Sequence, residues 1–272
     1  MNTILGCHER TMAMGPPNRF WKLKSNMAAQ ACMIHREKCH IWPDIIRSSP
    51  SGPEWFRLLA EKTGKDIFIL NYPDREFYQT VIEPLNARVL HIKLVRDGRA
   101  NLYSMVHHHN VSTRLSVLKN VIELPDNPAD YCFLRHEDLM DNPADTLDKI
   151  GSYIGITYDA KSAMKFWEWE HHLTAGNVAM LDMICRLQGL EGYEHSRRNE
   201  YNQFIEESRN GMPIVFRDNS WIEGLSSQDR LIFDCLLGEY NASNGYDRDN
   251  FDEGAVKYFW ETYDSKLAKL LE

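Results

Sequence analysis

Among its 272 residues the chain has no run approaching the ~20 apolar positions that a membrane-spanning helix needs, and it does not open with the basic-then-apolar order of a secretory leader. Positive charge is not in excess either: 31 Lys and Arg stand against 39 Asp and Glu, a net charge of -8. Phosphate backbones demand a basic face, so nucleic acid is not an expected partner, and an anionic ligand would need a local positive pocket. No Cys-x-x-Cys pair is present. The six cysteines, Cys7, Cys32, Cys39, Cys132, Cys185 and Cys235, are scattered, which indicates neither a zinc site nor a disulfide framework and suits reduced thiols. The expectation is a soluble cytoplasmic protein, a monomer or homodimer, without metal, membrane or nucleic-acid partners. Gly-x-x-x-x-Gly-Lys-(Ser/Thr) is also missing, which counts against a nucleotide-kinase-like P-loop.

What is present is an α/β pattern. A chain of this length can bury about three quarters of its unfolded surface as one large domain, and one domain over 1–272 is expected, with a mobile polar segment near 185–212. Short apolar runs predict parallel strands near 3–6, 67–70, 88–95 and 131–134, each followed by helix formers. The organising stretch is Val89 to Ser104. Val89, Leu90, Ile92, Leu94 and Val95 read as a strand buried on both faces; Arg96-Asp97-Gly98-Arg99 ends it, and a helix follows. Ligands of open α/β sheets bind at the carboxyl ends of strands. Arg96, with Ser104 eight residues on, can jointly hold a phosphate, the guanidinium giving a planar pair of donors and the serine one more. An exposed basic turn is the plain alternative.

Further signals frame this core. His8 to Gly15, with Arg10 and Thr11, sits where a phosphate-binding loop would follow a first strand. The prolines, serines and glycine over 41–56 mark a loop, and Glu54 near its end equally suits the dipole of a helix over 55–62. His107, His108 and His109 point roughly 100° apart on a helix, so they cannot all ligate one metal. Asn142-Pro143 predicts a helix start and Gly155 its stop. Ser226 and Asp229 form an N-terminal cap for a helix reaching Asn244-Gly245, and 253–272 reads as a last amphipathic helix.

Leu94-Val-Arg-Asp-Gly-Arg-Ala100 with Ser104, and Arg135-His-Glu-Asp-Leu139, resemble the segments by which sulfotransferases bind 3′-phosphoadenosine 5′-phosphosulfate (PAPS). Trp42-Pro43-Asp44-Ile45 with Pro53-Glu54, His172 to Asn177, and Phe216-Arg217 to Asp229 are similar to further segments of that family. The resemblance implies a P-loop-like three-layer sandwich, a central parallel sheet with helices on both faces. It also implies transfer of a sulfuryl group from PAPS, as co-substrate and without a metal, to a hydroxyl or amine of a small-molecule or glycan acceptor. On the matching positions, Arg96 and Ser104 would hold the 3′-phosphate, His136 the adenine, Arg10 and Thr11 the 5′-phosphosulfate, and Arg217 the cofactor from the carboxyl-terminal side. Arg10 would also act catalytically, stabilising charge on the transferring sulfuryl oxygens. Met12-Ala13-Met14 replaces the family's glycine and threonines, and Asn71-Tyr72-Pro73 replaces its catalytic histidine or lysine. The base would then be Glu54 or His107, with Glu54 slightly favoured. A binding protein that kept the fold and lost catalysis is the rival reading, motivated by Met12 to Met14.

Overall fold

The computed structural model describes residues 1–16, 31–48, 52–71, 75–109, 111–113, 131–195, 198–199, 201–212 and 219–271. In chain order the elements used below are α1 (Asn2–Leu5), β1 (Thr11–Gly15), α2 (Trp42–Ser48), α3 (Gly52–Thr63), β2 (Ile67–Leu70), β3 (Ile92–Val95), α4 (Gly98–His109), β4 (Cys132–Arg135), α5 (His136–Asp141), α6 (Pro143–Ile154), α7 (Val178–Leu187), α8 (Asn202–Arg209), α9 (Ser220–Gly224), α10 (Ser227–Ser243) and α11 (Glu253–Leu271). The fold is mixed α/β with parallel strand pairs. It comprises two compact units, each built from two stretches of chain: 1–89 with 143–215, and 90–142 with 216–272.

In the first unit β1 pairs in parallel with β2, Thr11 opposite Ile67 and Ala13 opposite Ile69, with a slip between Ala13 and Gly15. Every residue of β1 is buried. Gly15 is required at its end: its φ is 80°, and a Cβ there would come within 2.3 Å of the Ala175 carbonyl oxygen. Phe56 of α3 meets Phe68 of β2 edge to face, ring centroids 5.3 Å apart, and fixes that helix on the strand.

Two expectations for this unit are corrected. Residues 3–6 are not a strand; Asn2–Leu5 is a single helical turn, and the first strand is Thr11–Gly15. A four-residue apolar run has no periodicity to separate the two states, and tertiary bonds decide: the Thr11 hydroxyl and the Tyr158 hydroxyl each donate to the Leu5 carbonyl at 2.8 Å, satisfying an acceptor left open at the helix end. Met12 and Met14 are strand core, 4% and 0% exposed. The stretch expected as a loop over 41–56 contains α2, whose Trp42 is fully buried and donates its indole N–H to the His172 carbonyl at 2.6 Å. α6 matches its expected bounds, closed by Gly155 at φ 86°. The described part of 185–212 includes α8.

In the second unit β3 pairs in parallel with β4, from Ile92 opposite Cys132 to Val95 opposite Arg135. The strand begins at Ile92 rather than 88, because a four-residue partner offers a ladder of only that length, and Val89 is 37% exposed instead of buried. α4, α10 and α11 share a core of Leu102, Leu225, Ile232, Phe233, Leu237 and Phe259. Each such buried side chain contributes roughly 1.5–3 kcal/mol. Ser226 caps α10 as expected, accepting the Asp229 N–H at 3.1 Å.

Candidate functional site

The carboxyl ends of β3 and β4 lie side by side. Because Val95 is opposite Arg135, the next residues, Arg96 and His136, leave neighbouring strands at the same level, and strands are ~4.8 Å apart. Arg96 and Ser104 are half-buried, Arg96 in the turn and Ser104 on α4 two turns beyond it. His136 begins α5 and is held below the ordinary histidine range, first by burial and then by the positive charge of Arg96. A guanidinium, a neutral imidazole and a hydroxyl thus belong to one strand edge and the helix it feeds.

The turn bearing Arg96 is rigid for reasons readable atom by atom. Asp97 is buried, and its carboxylate accepts from the Arg99 backbone N–H at 2.9 Å, from Arg99 Nε at 3.0 Å and Nη2 at 2.7 Å, and from Asn241 Nδ2 at 3.3 Å. Its backbone N–H donates to Glu137 Oε1 at 3.3 Å, and Gly98 N–H donates to Asn241 Oδ1 at 2.9 Å. A Cβ on Gly98 would lie 2.5 Å from the Phe233 ring. Arg99 also reaches Asp249 at 2.9 Å and stacks over the Trp221 ring, 4.4 Å from its centroid. Glu137 Oε2 in turn accepts from the Tyr246 hydroxyl at 2.5 Å. The acidic side chains of the Asp97–Arg99 turn and of Glu137 are therefore occupied by partners within this unit, and the motif's second arginine, Arg99, is a structural one.

Other expected site residues fall elsewhere. Arg10 stands before the amino end of β1, not in a loop after a strand, and its exposed guanidinium grips Asp66 with Nε–Oδ1 3.0 Å and Nη2–Oδ2 2.5 Å. Thr11 is fully buried inside β1 with its hydroxyl spent on Leu5. The chain leaving the carboxyl end of β1 continues through Pro16 into 17–30, outside the described residues. Glu54 lies in the first turn of α3 and is bonded to Arg57, which holds its carboxyl below the usual range. His107 is exposed on α4, one turn past Ser104, and lies against the Tyr103 ring at 4.3 Å between centroids. Arg217 lies outside the described residues.

No family model, curated protein or solved structure matches this chain.

In the segment from 171 to 177, residues 171–174 are buried within the first unit, while Gly176 and Asn177 are exposed. His171 is 2% exposed and its ring nitrogen meets the Phe166 carbonyl at 2.6 Å; burial lowers its pKa to about 4. Asn177 caps α7 through the N–H groups of Ala179 and Met180. His172, Cys32, Cys39 and His35 converge. No Cys-x-x-Cys pair in the sequence marks this grouping. The signal available was Cys-x-x-His-x-x-x-Cys, with the fourth member 133 residues further on.

Proposed function

We propose that this protein is a sulfotransferase that uses PAPS and moves its sulfuryl group to a hydroxyl or amine of a small molecule or glycan. The observation that carries the reading is the juxtaposition of Arg96 and His136 at the carboxyl ends of parallel β3 and β4, with Ser104 on the helix that follows. Arg96 and Ser104 offer charge-assisted and neutral donors to the 3′-phosphate, and His136, uncharged at neutral pH, offers a flat partner for the adenine. In the reaction the bond between sulfur and the bridging phosphate oxygen breaks as the acceptor oxygen or nitrogen bonds to sulfur. The acceptor's proton passes to a base, and adenosine 3′,5′-bisphosphate leaves. His107, on the same helix as Ser104, is the base this reading prefers: a carboxyl held low by Arg57, as in Glu54, is a weaker proton acceptor. The reading carries with it the P-loop-like three-layer sandwich of that family, a cytoplasmic setting and no metal in the chemistry.

A second reading has its own observation. Arg10 and Thr11, the positions matching the phosphosulfate loop, are committed to Asp66 and Leu5. A protein that binds the nucleotide without transferring sulfate fits that arrangement. Incubation with sulfate-labelled PAPS and a panel of phenols, alcohols, amines and oligosaccharides separates the two. Transfer of label to any acceptor supports the enzyme; tight bisphosphate binding with no transfer across the panel supports the binding protein.

A further inference from the structure

A second constellation, in the first unit, is independent of that nucleotide reading. Cys32, His35, Cys39 and His172 each present one sulfur or ring nitrogen, and these four atoms all lie within 4.8 Å of one another. Cys32 Sγ is 3.7 Å from His35 Nδ1, and Cys39 Sγ is 3.4 Å from His172 Nδ1. Ligands of a tetrahedral zinc with Zn–S of about 2.3 Å and Zn–N of about 2.0 Å are themselves separated by roughly 3.4–3.8 Å. Both of these pairs fall in that range.

We propose that Cys32, His35, Cys39 and His172 form a structural zinc site. Three features beyond proximity point to a metal rather than to four side chains that happen to meet. The sulfurs are approached by main-chain donors: His35 N–H lies 3.3 Å from Cys32 Sγ and Ile34 N–H also points at it, while Trp42 N–H serves Cys39. Cys32 to His35 and Cys39 to Trp42 are thus two turns of the same spacing, each aiming a backbone N–H back at a sulfur three residues earlier. His172 has an outer partner, its Nε2 standing 3.1 Å from Glu170 Oε1, which fixes the ring with Nδ1 toward Cys39, as a carboxylate behind a ligating histidine does. Charge closes as well: two thiolates and one Zn²⁺ sum to zero, so the ion enters a buried site without leaving net charge there. Cys32, Cys39 and His172 are buried.

Four protein ligands and little solvent access describe a closed, structural site, not a catalytic one with a free position. Its effect is mechanical. The segment 31–41 has little regular structure beyond one short 3₁₀ turn; it and Trp42 at the start of α2 are tied to 172–174 by the Met33 N–H to Leu173 carbonyl bond at 2.7 Å and the Trp42 indole bond. The Thr174 hydroxyl and N–H then reach the Met14 carbonyl of β1 at 2.7 and 3.0 Å. A metal at this point secures the chain that lies against the end of β1.

Elemental analysis of the full-length protein, purified under reducing conditions without a metal-affinity tag, tests the proposal. One equivalent of zinc per chain is expected. After chelation, Co²⁺ should restore one equivalent with tetrahedral visible bands and thiolate-to-cobalt charge transfer. Cys39→Ser should weaken zinc by more than about 100-fold and Glu170→Gln by about 10- to 100-fold, the range for outer partners, while Cys235→Ser should bind as wild type. Should Cys39→Ser fail to fold, His172→Cys keeps four ligands and must still bind one zinc. Wild-type protein that takes up neither zinc nor cobalt, or a Cys32–Cys39 disulfide in freshly isolated protein as the stable form, overturns the site. So does a folded Cys39→Ser variant with undiminished affinity.

Discussion

Val95 lies opposite Arg135 in the parallel β3–β4 ladder, and this single pairing sets Arg96 beside His136 at the carboxyl edge of the sheet. Everything proposed about nucleotide binding depends on that register, because a slip of one residue would turn each side chain of the strand to the other face.

The turn that carries Arg96 depends on a buried ion pair. Asp97 and Arg99 side chains are 10% and 8% exposed and bonded at 2.7 Å. Arg99→Ala leaves the Asp97 carboxylate without its cation in a low-dielectric place, and the expected loss in urea unfolding is about 3–5 kcal/mol. A loss below about 1 kcal/mol, the worth of a surface pair, would show that Asn241 and water suffice.

That turn also shows what could and could not be read in advance. The Ser226 cap and the Gly155 stop were legible because each depends on chemistry within a few residues. The misplacement of β1 had the opposite cause. Asn2–Leu5 is helical because Thr11 and Tyr158 supply its carbonyl partners, and nothing local in Thr3-Ile4-Leu5-Gly6 announces that. The Cys/His cluster stayed hidden for a similar reason: His172 joins Cys39 across 133 positions, a distance no spacing rule spans. Arg99 bonds Asp97 within the turn, but its second carboxylate partner, Asp249, lies 150 residues away and leaves no local signal.

The choice of base is open to a direct comparison. His107→Ala is expected to lower sulfuryl transfer by about 10²- to 10⁴-fold, the usual contribution of a general base, with bisphosphate affinity unchanged. Glu54→Gln is expected to keep near-wild-type turnover, since its carboxylate is engaged with Arg57. The reverse pattern would return the role to Glu54.

His136 gives a pH signature. Its pKa lies below the ordinary 6.5 when folded, so between those two values the unfolded chain binds a proton that the folded chain does not. Stability from this residue is therefore full above about pH 6.5 and is lost as pH falls below it, until the lower folded value is reached. His136→Gln should flatten the fall in unfolding free energy as pH drops below about 6.5, relative to wild type. A variant with the same slope would assign the acid sensitivity to other groups.

The central claim is that Arg96 and Ser104 hold a nucleotide phosphate, and calorimetric titration with adenosine 3′,5′-bisphosphate tests it most directly. A charge-assisted bond to phosphate contributes about 1.5–3 kcal/mol and a neutral one about 0.5–1.5 kcal/mol. Wild-type protein should bind with a measurable Kd, Arg96→Ala should bind at least about tenfold more weakly, and Ser104→Ala about two- to tenfold more weakly. No heat of binding with the wild type, or an Arg96→Ala variant with the wild-type Kd, would contradict the account.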